Sequence, residues 1–188
     1  FLAGSTHKGE EEHVLAAFAE IRKTHPRAKL LIAPRAVLRT GHIQSMCQQR
    51  GFTSATRTQL LKHPSEVHAV VLLNTIGELG KVYSIGDVIF VGGSMIPHGG
   101  HNILEPAAHG KAIIVGEHMF NFKDTHVLFS QRSAVVTVRS QQELVQAASR
   151  LFTDVEERRR MEQETLKICG ENRGAARRTA VILHELLD

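Results

Sequence analysis

Short apolar runs recur along the chain and alternate with helix-like segments, and this alternation constrains the fold more than any other feature. The clearest runs are 29–33, 69–73, 87–91 and 111–115, and none of them alternates apolar with polar residues. A strand that is apolar on both faces must be covered on both faces, which is typical of a parallel sheet between helical layers. The sequence therefore predicts an α/β protein with a doubly wound, Rossmann-like parallel sheet of about six strands.

Helical periodicity, together with residues that cap or break helices, defines the segments between the strands. We expect helices at about 40–49, at 79–83, from about 123, after a capping Ser140, and from Asp154 onward. In contrast, residues 57–67 are polar and include Pro64, which predicts a long loop. The final helical piece carries an apolar set that we expect to pack on another surface, namely Ile182, Leu183, Leu186 and Leu187.

Size and composition exclude several classes of protein. A length of 188 residues suits one domain, numbered 1–188, and 42% hydrophobic residues indicate an ordered core. The net charge is only +4, Trp is absent and Tyr occurs once, so we expect no nucleic-acid partner. No apolar run reaches the length of a membrane span. The chain begins abruptly with an apolar strand at Phe1, which suggests a piece cut at a domain boundary.

A glycine-rich stretch at 91–110 follows the strand at 87–91. The pairs Gly92-Gly93 and Gly99-Gly100 allow sharp bends and a close approach of the backbone to a ligand. Asn102 can cap the next helix, whose positive end and N–H groups suit an anion, and Glu105 can bind sugar hydroxyls. The alternative is a plain strand–loop–helix connection in which the glycines only turn the chain.

Polar residues follow several of the predicted strands, and the carboxyl ends of parallel strands share one edge of a sheet. Arg35, after the rigid Pro34, suits a phosphate, although it could also be an ordinary surface residue. Backbone groups of Ile76-Gly77-Glu78 could meet the edge of a base, or simply begin a helix. Further cleft candidates are Ser5, Thr6, Gly99 and Gly100.

Two familiar nucleotide signatures and the metal signatures are missing. The dinucleotide fingerprint does not follow the first strand and no P-loop occurs, which argues against dehydrogenases and P-loop NTPases. Several histidines could suggest a metal, but their spacing matches no metal-site signature, so we expect no metal ligands. These histidines are His7, His98, His101, His109 and His118.

Four motifs together resemble the C-terminal half of the 3-deoxy-D-manno-octulosonic acid (Kdo) transferases of lipopolysaccharide assembly. They are the segments 4–11, 75–79, 90–108 and 118–124, which occur in the family's order and cover most of the chain to Asp124. The resemblance implies the donor half of a GT-B glycosyltransferase, in which two Rossmann-like domains face each other across a cleft. It further implies an inverting transfer of Kdo from CMP-Kdo to a lipid A precursor at the cytoplasmic face of the bacterial inner membrane.

Carried over by motif, the resemblance implies a set of CMP contacts: Pro34, Arg35, Ile76, Gly77, Glu78, Asn102, Ile103, Leu104 and Glu105. Such a cradle would stabilise the departing CMP through fixed charges and dipoles, without a metal or another cofactor. In this family the catalytic base, the acceptor cleft and the membrane anchor lie in the N-terminal domain. The resemblance therefore implies no catalytic residue in this chain, and no sugar transfer by this domain alone.

Two positions depart from the family pattern. The family usually has Pro-Arg-His-Pro-Glu-Arg where this chain has residues 34–39, so Arg35 and Arg39 remain but the turn between them differs. The family often has Asp where this chain has Asn74. Two alternatives stay open: a UDP-sugar transferase or epimerase of the same fold, and a binding module without catalysis.

Overall fold

A computed structural model describes residues 1–172, which form seven strands and eight α-helices. The strands are β1 (Leu2–Thr6), β2 (Leu30–Pro34), β3 (Ser54–Thr56), β4 (Val70–Leu72), β5 (Val88–Val91), β6 (Ala112–Gly116) and β7 (Val135–Val138). The helices are α1 (Glu10–Thr24), α2 (Thr40–Gln49), α3 (Arg57–Lys62), α4 (Leu79–Val82), α5 (Leu104–Ala108), α6 (Lys123–Gln131), α7 (Gln141–Thr153) and α8 (Val155–Glu171).

The strands form a single parallel sheet in the order β3-β4-β2-β1-β5-β6-β7. From β1 the chain adds β2, then the edge strand β3, and then β4 between β2 and β3; it returns to the other side of β1 with β5, β6 and β7. The strand order therefore reverses between β1 and β5, and in open α/β sheets ligands bind beside such a switch point. The α/β prediction is confirmed, with seven strands in place of about six.

The buried residues of each strand point alternately to two separate cores. On one face Ile32, Phe90 and Ile114 pack with Phe18 of α1 and Leu151 of α7. The other face is smaller, and its cluster joins Val91 and Val115 to residues of α5, α6 and α8, namely Ala107, Phe129 and Ile168. Because both faces are covered, the strands tolerate no polar alternation, and this explains the continuous apolar runs in the sequence.

One local prediction was wrong. Residues 57–67 do not form one long loop, since α3 begins directly after β3. The Thr56 hydroxyl accepts a hydrogen bond from the amide of Gln59, and the Gln59 side chain accepts one from the amide of Thr56. This capping box starts a helix in an otherwise polar segment. The segment between β6 and α6 contains a 3-10 turn at Phe120–Phe122.

Several other local predictions are confirmed. Ser140 caps α7 through its hydroxyl, which accepts from the amide of Glu143, and the helix expected after Asp154 is α8. The final apolar set at 182–187 lies outside the described residues. Within residues 1–172, every helix is too short or too polar to cross a lipid bilayer.

Candidate functional site

The predicted polar residues lie in loops that leave the carboxyl ends of β1, β2, β4 and β5. A small recess of about 100 Å³ opens there and is lined by Ser5, Pro34, Arg35, Ile76 and Gly77, together with apolar neighbours. Three segments that are distant in sequence are thus brought to one place. A wider groove of about 720 Å³ lies beside α2 and the amino ends of β3 and β4, away from these loops.

Arg35 is the cation at the rim of the recess. It directly follows the last residue of β2, and its amide donates a 2.9 Å hydrogen bond to the carbonyl of Thr6 after β1. The Arg35 side chain is exposed. An exposed guanidinium on a backbone that is tied to the neighbouring strand can receive a phosphate without first breaking a buried ion pair.

The loop after β4 forms the opposite wall of the recess. Ile76 is 90% exposed, and Gly77 adopts a left-handed backbone with φ of 84°. A Cβ added at Gly77 would have no atom within 4 Å, so the glycine serves the backbone conformation and leaves open space in front of it. The Glu78 carboxylate is used locally, since it accepts a hydrogen bond from Thr75 and lies 3.9 Å from the Arg57 guanidinium.

The glycine-rich loop after β5 holds an anion that belongs to the protein itself. The Glu10 carboxylate, fully buried at the start of α1, accepts hydrogen bonds from the amides of Gly93 (2.7 Å), Ser94 (3.0 Å) and Met95 (3.0 Å). It also accepts one from the amide of His7 at 2.9 Å. These loop amides are therefore not free to bind a ligand, because Glu10 already accepts their hydrogen bonds.

The glycines of this loop are required by contacts within the protein. A Cβ at Gly92 would lie 2.5 Å from the carbonyl oxygen of Ser5. At Gly99 and Gly100 the backbone is left-handed, and added Cβ atoms would lie 2.1 Å from the Asn121 side chain and 2.3 Å from the Met119 sulfur. These glycines allow the loop to pack against β1 and against the segment 118–122, which accounts for them without a ligand.

The start of α5 differs from its prediction in two ways. The helix begins at Leu104, and the capping position is Ile103, not Asn102. Asn102 accepts a 3.0 Å hydrogen bond from the amide of Leu104, so it still satisfies one donor of the first turn. The helix has only five residues, so its dipole is short, and Ile103 is buried in the core.

Glu105 keeps a position on the site side of α5. Its carboxylate accepts a weak 3.5 Å hydrogen bond from the Asn102 amide, and a Cβ at Gly80 would lie 3.6 Å from it. Glu105 is exposed, whereas Tyr83 beneath it is buried. Burial first, and then the nearby Glu105 charge, raises the pKa of the Tyr83 phenol, while a hydrogen bond with Ser5 opposes that rise. Tyr83 thus remains a neutral hydrogen-bonding group under the recess.

The side chains of Thr6 and Arg39 bind another residue of the protein, Glu11. Thr6 is fully buried and donates a 3.3 Å hydrogen bond to Glu11. Arg39 donates to the same buried carboxylate at 3.0 Å, and this ion pair joins the loop after β2 to α1. Burial raises the pKa of Glu11, and the bond from Arg39 lowers it in part. Asn74 likewise binds α3, through a 2.8 Å bond to the Thr58 hydroxyl.

Three of the histidines that looked unrelated in sequence meet beside the glycine-rich loop. His7 and His101 share a 2.9 Å hydrogen bond between their Nε2 atoms, and the His98 ring lies 4.0 Å from that of His7. Burial, followed by the neighbouring His7, lowers the pKa of His101 to about 4, and burial also lowers the pKa of His7. Arg35 contributes to both shifts, so its charge reaches the cluster.

Comparison with known proteins gives the fold a family. Residues 5–168 match the family model "Glycosyl transferases group 1", which is most of the chain. The chain belongs to this family of glycosyl transferases. The domain also superposes on the C-terminal CMP-Kdo binding domain of WaaA from Acinetobacter baumannii with a TM-score of 0.80 and 28% identity, over 89% of this chain and 86% of that one.

Curated relatives of this glycosyl transferase domain include 3-deoxy-D-manno-octulosonic acid transferases. The one from Haemophilus influenzae is 33% identical over the full chain, and the one from Aquifex aeolicus is 30% identical over 90% of it. The chain spans 44% and 46% of the length of these two relatives. The predicted resemblance to the C-terminal half of the Kdo transferases is confirmed.

Sequence reasoning missed the residues that organise the glycosyl transferase site from within. Glu10 and Glu11 looked like a favourable acidic first turn of α1, yet both are fully buried and each holds a different loop. Their adjacency to the turn at His7 and Lys8 was the available signal. Besides near neighbours in sequence, Glu10 binds amides 83 to 85 residues away and Glu11 binds Arg39, 28 residues away, and periodicity cannot detect such separations.

Proposed function

We propose that this domain binds the donor CMP-Kdo in an inverting Kdo transferase that acts on a lipid A precursor. The observation that carries the proposal is the recess at the switch point, where Arg35 faces Ile76 and Gly77 across open space. The likeness to a CMP-Kdo binding domain over most of both chains supports the same donor.

The phosphate of CMP is assigned to Arg35. The exposed guanidinium can form two parallel hydrogen bonds to phosphate oxygens, and its charge opposes the negative charge that grows on CMP as the glycosidic bond breaks. Pro34 and the bond from the Arg35 amide to Thr6 hold the base of the side chain in position. In this proposal departure of CMP needs no metal.

The nucleoside is assigned to the loop after β4, which lines the recess, and to the start of α5, which lies outside the lining of the recess. Glu105 and Asn102 at the start of α5 would accept and donate hydrogen bonds to the ribose hydroxyls. The open space in front of Gly77 would admit the base, with backbone groups of Ile76 and Gly77 at its edge. Ile103, Leu104 and Glu78 would then act by shaping these two segments, because Ile103 is buried and Glu78 is bonded to Thr75.

The remainder of the transferase is proposed to face this edge from a separate acceptor domain. Three exposed apolar side chains follow three strands at the carboxyl edge, namely Leu38 after β2, Ile76 after β4 and Phe120 after β6. Such side chains are suited to contact with a second domain. We place the acceptor site, the catalytic base and attachment to the cytoplasmic face of the inner membrane in that domain, so residues 1–188 alone would bind donor without transferring sugar.

A nucleotide titration tests the donor assignment. CMP, UMP and AMP are added in turn to the ¹⁵N-labelled chain, and amide shifts are followed together with calorimetric affinity. We expect CMP to bind most tightly and to shift Gly77, Asn102 and Glu105. Arg35→Ala should lower the affinity for CMP by roughly 10–100-fold, which is the contribution expected of a charge-assisted hydrogen bond to phosphate.

The matched control is Arg27→Ala, which removes an exposed arginine near the amino end of β2 and should leave the CMP affinity unchanged. A preference for UMP would support the UDP-sugar alternative. No response to any nucleotide at these residues would contradict a donor site and favour a non-catalytic binding module.

A further inference from the structure

We propose that His7, His98 and His101 form a binding site for one transition-metal dication of the Zn²⁺ type. One imidazole nitrogen from each residue lies within 4.8 Å of the others. His7 comes from the loop after β1, and His98 and His101 come from the loop after β5. The metal is not part of the mechanism proposed above, in which Arg35 binds the CMP phosphate.

The distances suit imidazole ligands around a single ion. Nitrogens that each lie about 2.0–2.1 Å from one ion are separated by roughly 2.9–3.4 Å, for angles between a right angle and the tetrahedral value. The Nε2 atoms of His7 and His101 are already 2.9 Å apart. The His98 ring is exposed, so a rotation of this side chain can bring the third nitrogen inward without disturbing a core.

The frame around the three rings is rigid. A Cβ at Gly93 would lie 3.0 Å from the His101 ring and 3.3 Å from the His98 ring, so the rings pack directly on this glycine. The Glu10 carboxylate binds both the amide of His7 and the amide of Gly93, and thereby fixes the two loops relative to each other. Asn121 donates to the carbonyl of His98 at 3.1 Å. Ligands held in place in this way lower the cost of ordering the site when an ion binds.

The three imidazole ligands determine which class of metal ion can bind. Three imidazoles suit Zn²⁺, Co²⁺, Ni²⁺ or Cu²⁺, whereas Mg²⁺ and Ca²⁺ require oxygen ligands. Three protein ligands leave a fourth position for water, which matches the open side at His98. Two charges act on the ion from nearby: the Arg35 guanidinium repels it, and the buried Glu10 carboxylate attracts it.

Metal titration of the 188-residue chain tests the site. Zn²⁺ affinity is measured by competition with a chromophoric chelator, and Co²⁺ is used as a spectroscopic probe because its visible absorption reports four-coordinate binding. We expect one saturable equivalent and no thiolate charge-transfer band, since neither Cys47 nor Cys169 is a ligand. Binding should also raise the unfolding temperature, because the ion joins two loops in the folded state only.

The decisive variant is His98→Ala, whose exposed ring is not needed for folding. This variant should lower the Zn²⁺ affinity by more than roughly 10–100-fold, which is the loss expected when only an outer-shell partner of a metal ligand is removed. His13→Ala, which changes a histidine paired with Gln141 on another surface, is the control and should bind as the parent does. The proposal is overturned by absent saturable binding, by an unaffected His98→Ala, or by equal losses in both variants.

Discussion

The carboxyl edge of the sheet has two halves that use their backbone in opposite ways. Beside β5, the loop with Gly92 and Gly93 is closed, because the buried Glu10 accepts its amides and β1 fills the space around its glycines. Beside β2 and β4, the recess between Arg35 and Gly77 is open, with an exposed cation and an uncovered glycine. Both halves contain glycines and both follow apolar strands, so they look alike in sequence.

The difference shows that glycine-rich loops serve two purposes at one switch point. In the closed half, glycine permits protein to pack on protein and makes a rigid frame. In the open half, glycine permits a backbone conformation and leaves room for a ligand. A loop of the first kind fixes the position of neighbours such as His101, whose ring packs on Gly93, whereas a loop of the second kind leaves open space at the edge of the sheet.

Removal of the Glu10 carboxylate should have the largest effect on stability. Glu10→Ala leaves amides at His7, Gly93, Ser94 and Met95 without their charged acceptor, so we expect a loss of about 4 kcal/mol in the free energy of unfolding. Urea denaturation measures this change. Glu20→Ala, at a partly exposed position of the same helix, should change stability by less than about 0.5 kcal/mol. Similar values for both variants would show that the closed half is not held by Glu10.

Replacing one glycine from each half by alanine should lower the free energy of unfolding much more in the closed half than in the open half. Gly92→Ala places a Cβ 2.5 Å from the Ser5 carbonyl and 2.7 Å from Thr6 Cα, and both are backbone atoms, so we expect a loss of about 3 kcal/mol. Gly77→Ala meets open space and should lose only about 1 kcal/mol for its left-handed conformation. Thermal and urea unfolding of both variants give the comparison, and equal losses would contradict it.

The ion pair between Arg39 and Glu11 should give a smaller and pH-dependent effect. Arg39→Ala should lower stability by about 2 kcal/mol near neutral pH, because it leaves a buried carboxylate without its cation, an effect moderated by partial exposure of Arg39. Burial raises the pKa of Glu11, and loss of Arg39 raises it further. The penalty is therefore complete above the higher pKa and disappears once acid protonates Glu11 in both proteins.

Unfolding measured from neutral pH downward tests this prediction. The stability curves of the parent and Arg39→Ala should converge as the pH falls. Arg27→Ala is the matched control, since it removes an exposed arginine away from Glu11 and should leave stability nearly unchanged at every pH. A difference that stays constant with pH would mean that Arg39 acts through packing and not through its charge on Glu11.

Local chemistry made part of the site predictable. Arg35 and Gly77 were proposed as site residues because each lies in a loop after an apolar strand, and the structure brings both to one recess at the carboxyl edge of the sheet. The cap of α5 was misplaced by one residue, and the role of Glu10 as acceptor for the amides of Gly93, Ser94 and Met95 was not anticipated. The placement of α3 was also missed, since a capping box between Thr56 and Gln59 can be satisfied only after β3 has ended.

By itself the sequence determined the layered α/β architecture, the edge at which a ligand would bind, and the likeness to the donor half of the Kdo transferases. Those features depend on periodicity, on strand ends and on motif order, which are local properties of the chain. Only the tertiary structure decided which anion occupies the glycine-rich loop and which histidines meet. Glu10 reaches Gly93 across 83 residues and His7 reaches His101 across 94, and such contacts exist only once β1 and β5 lie side by side.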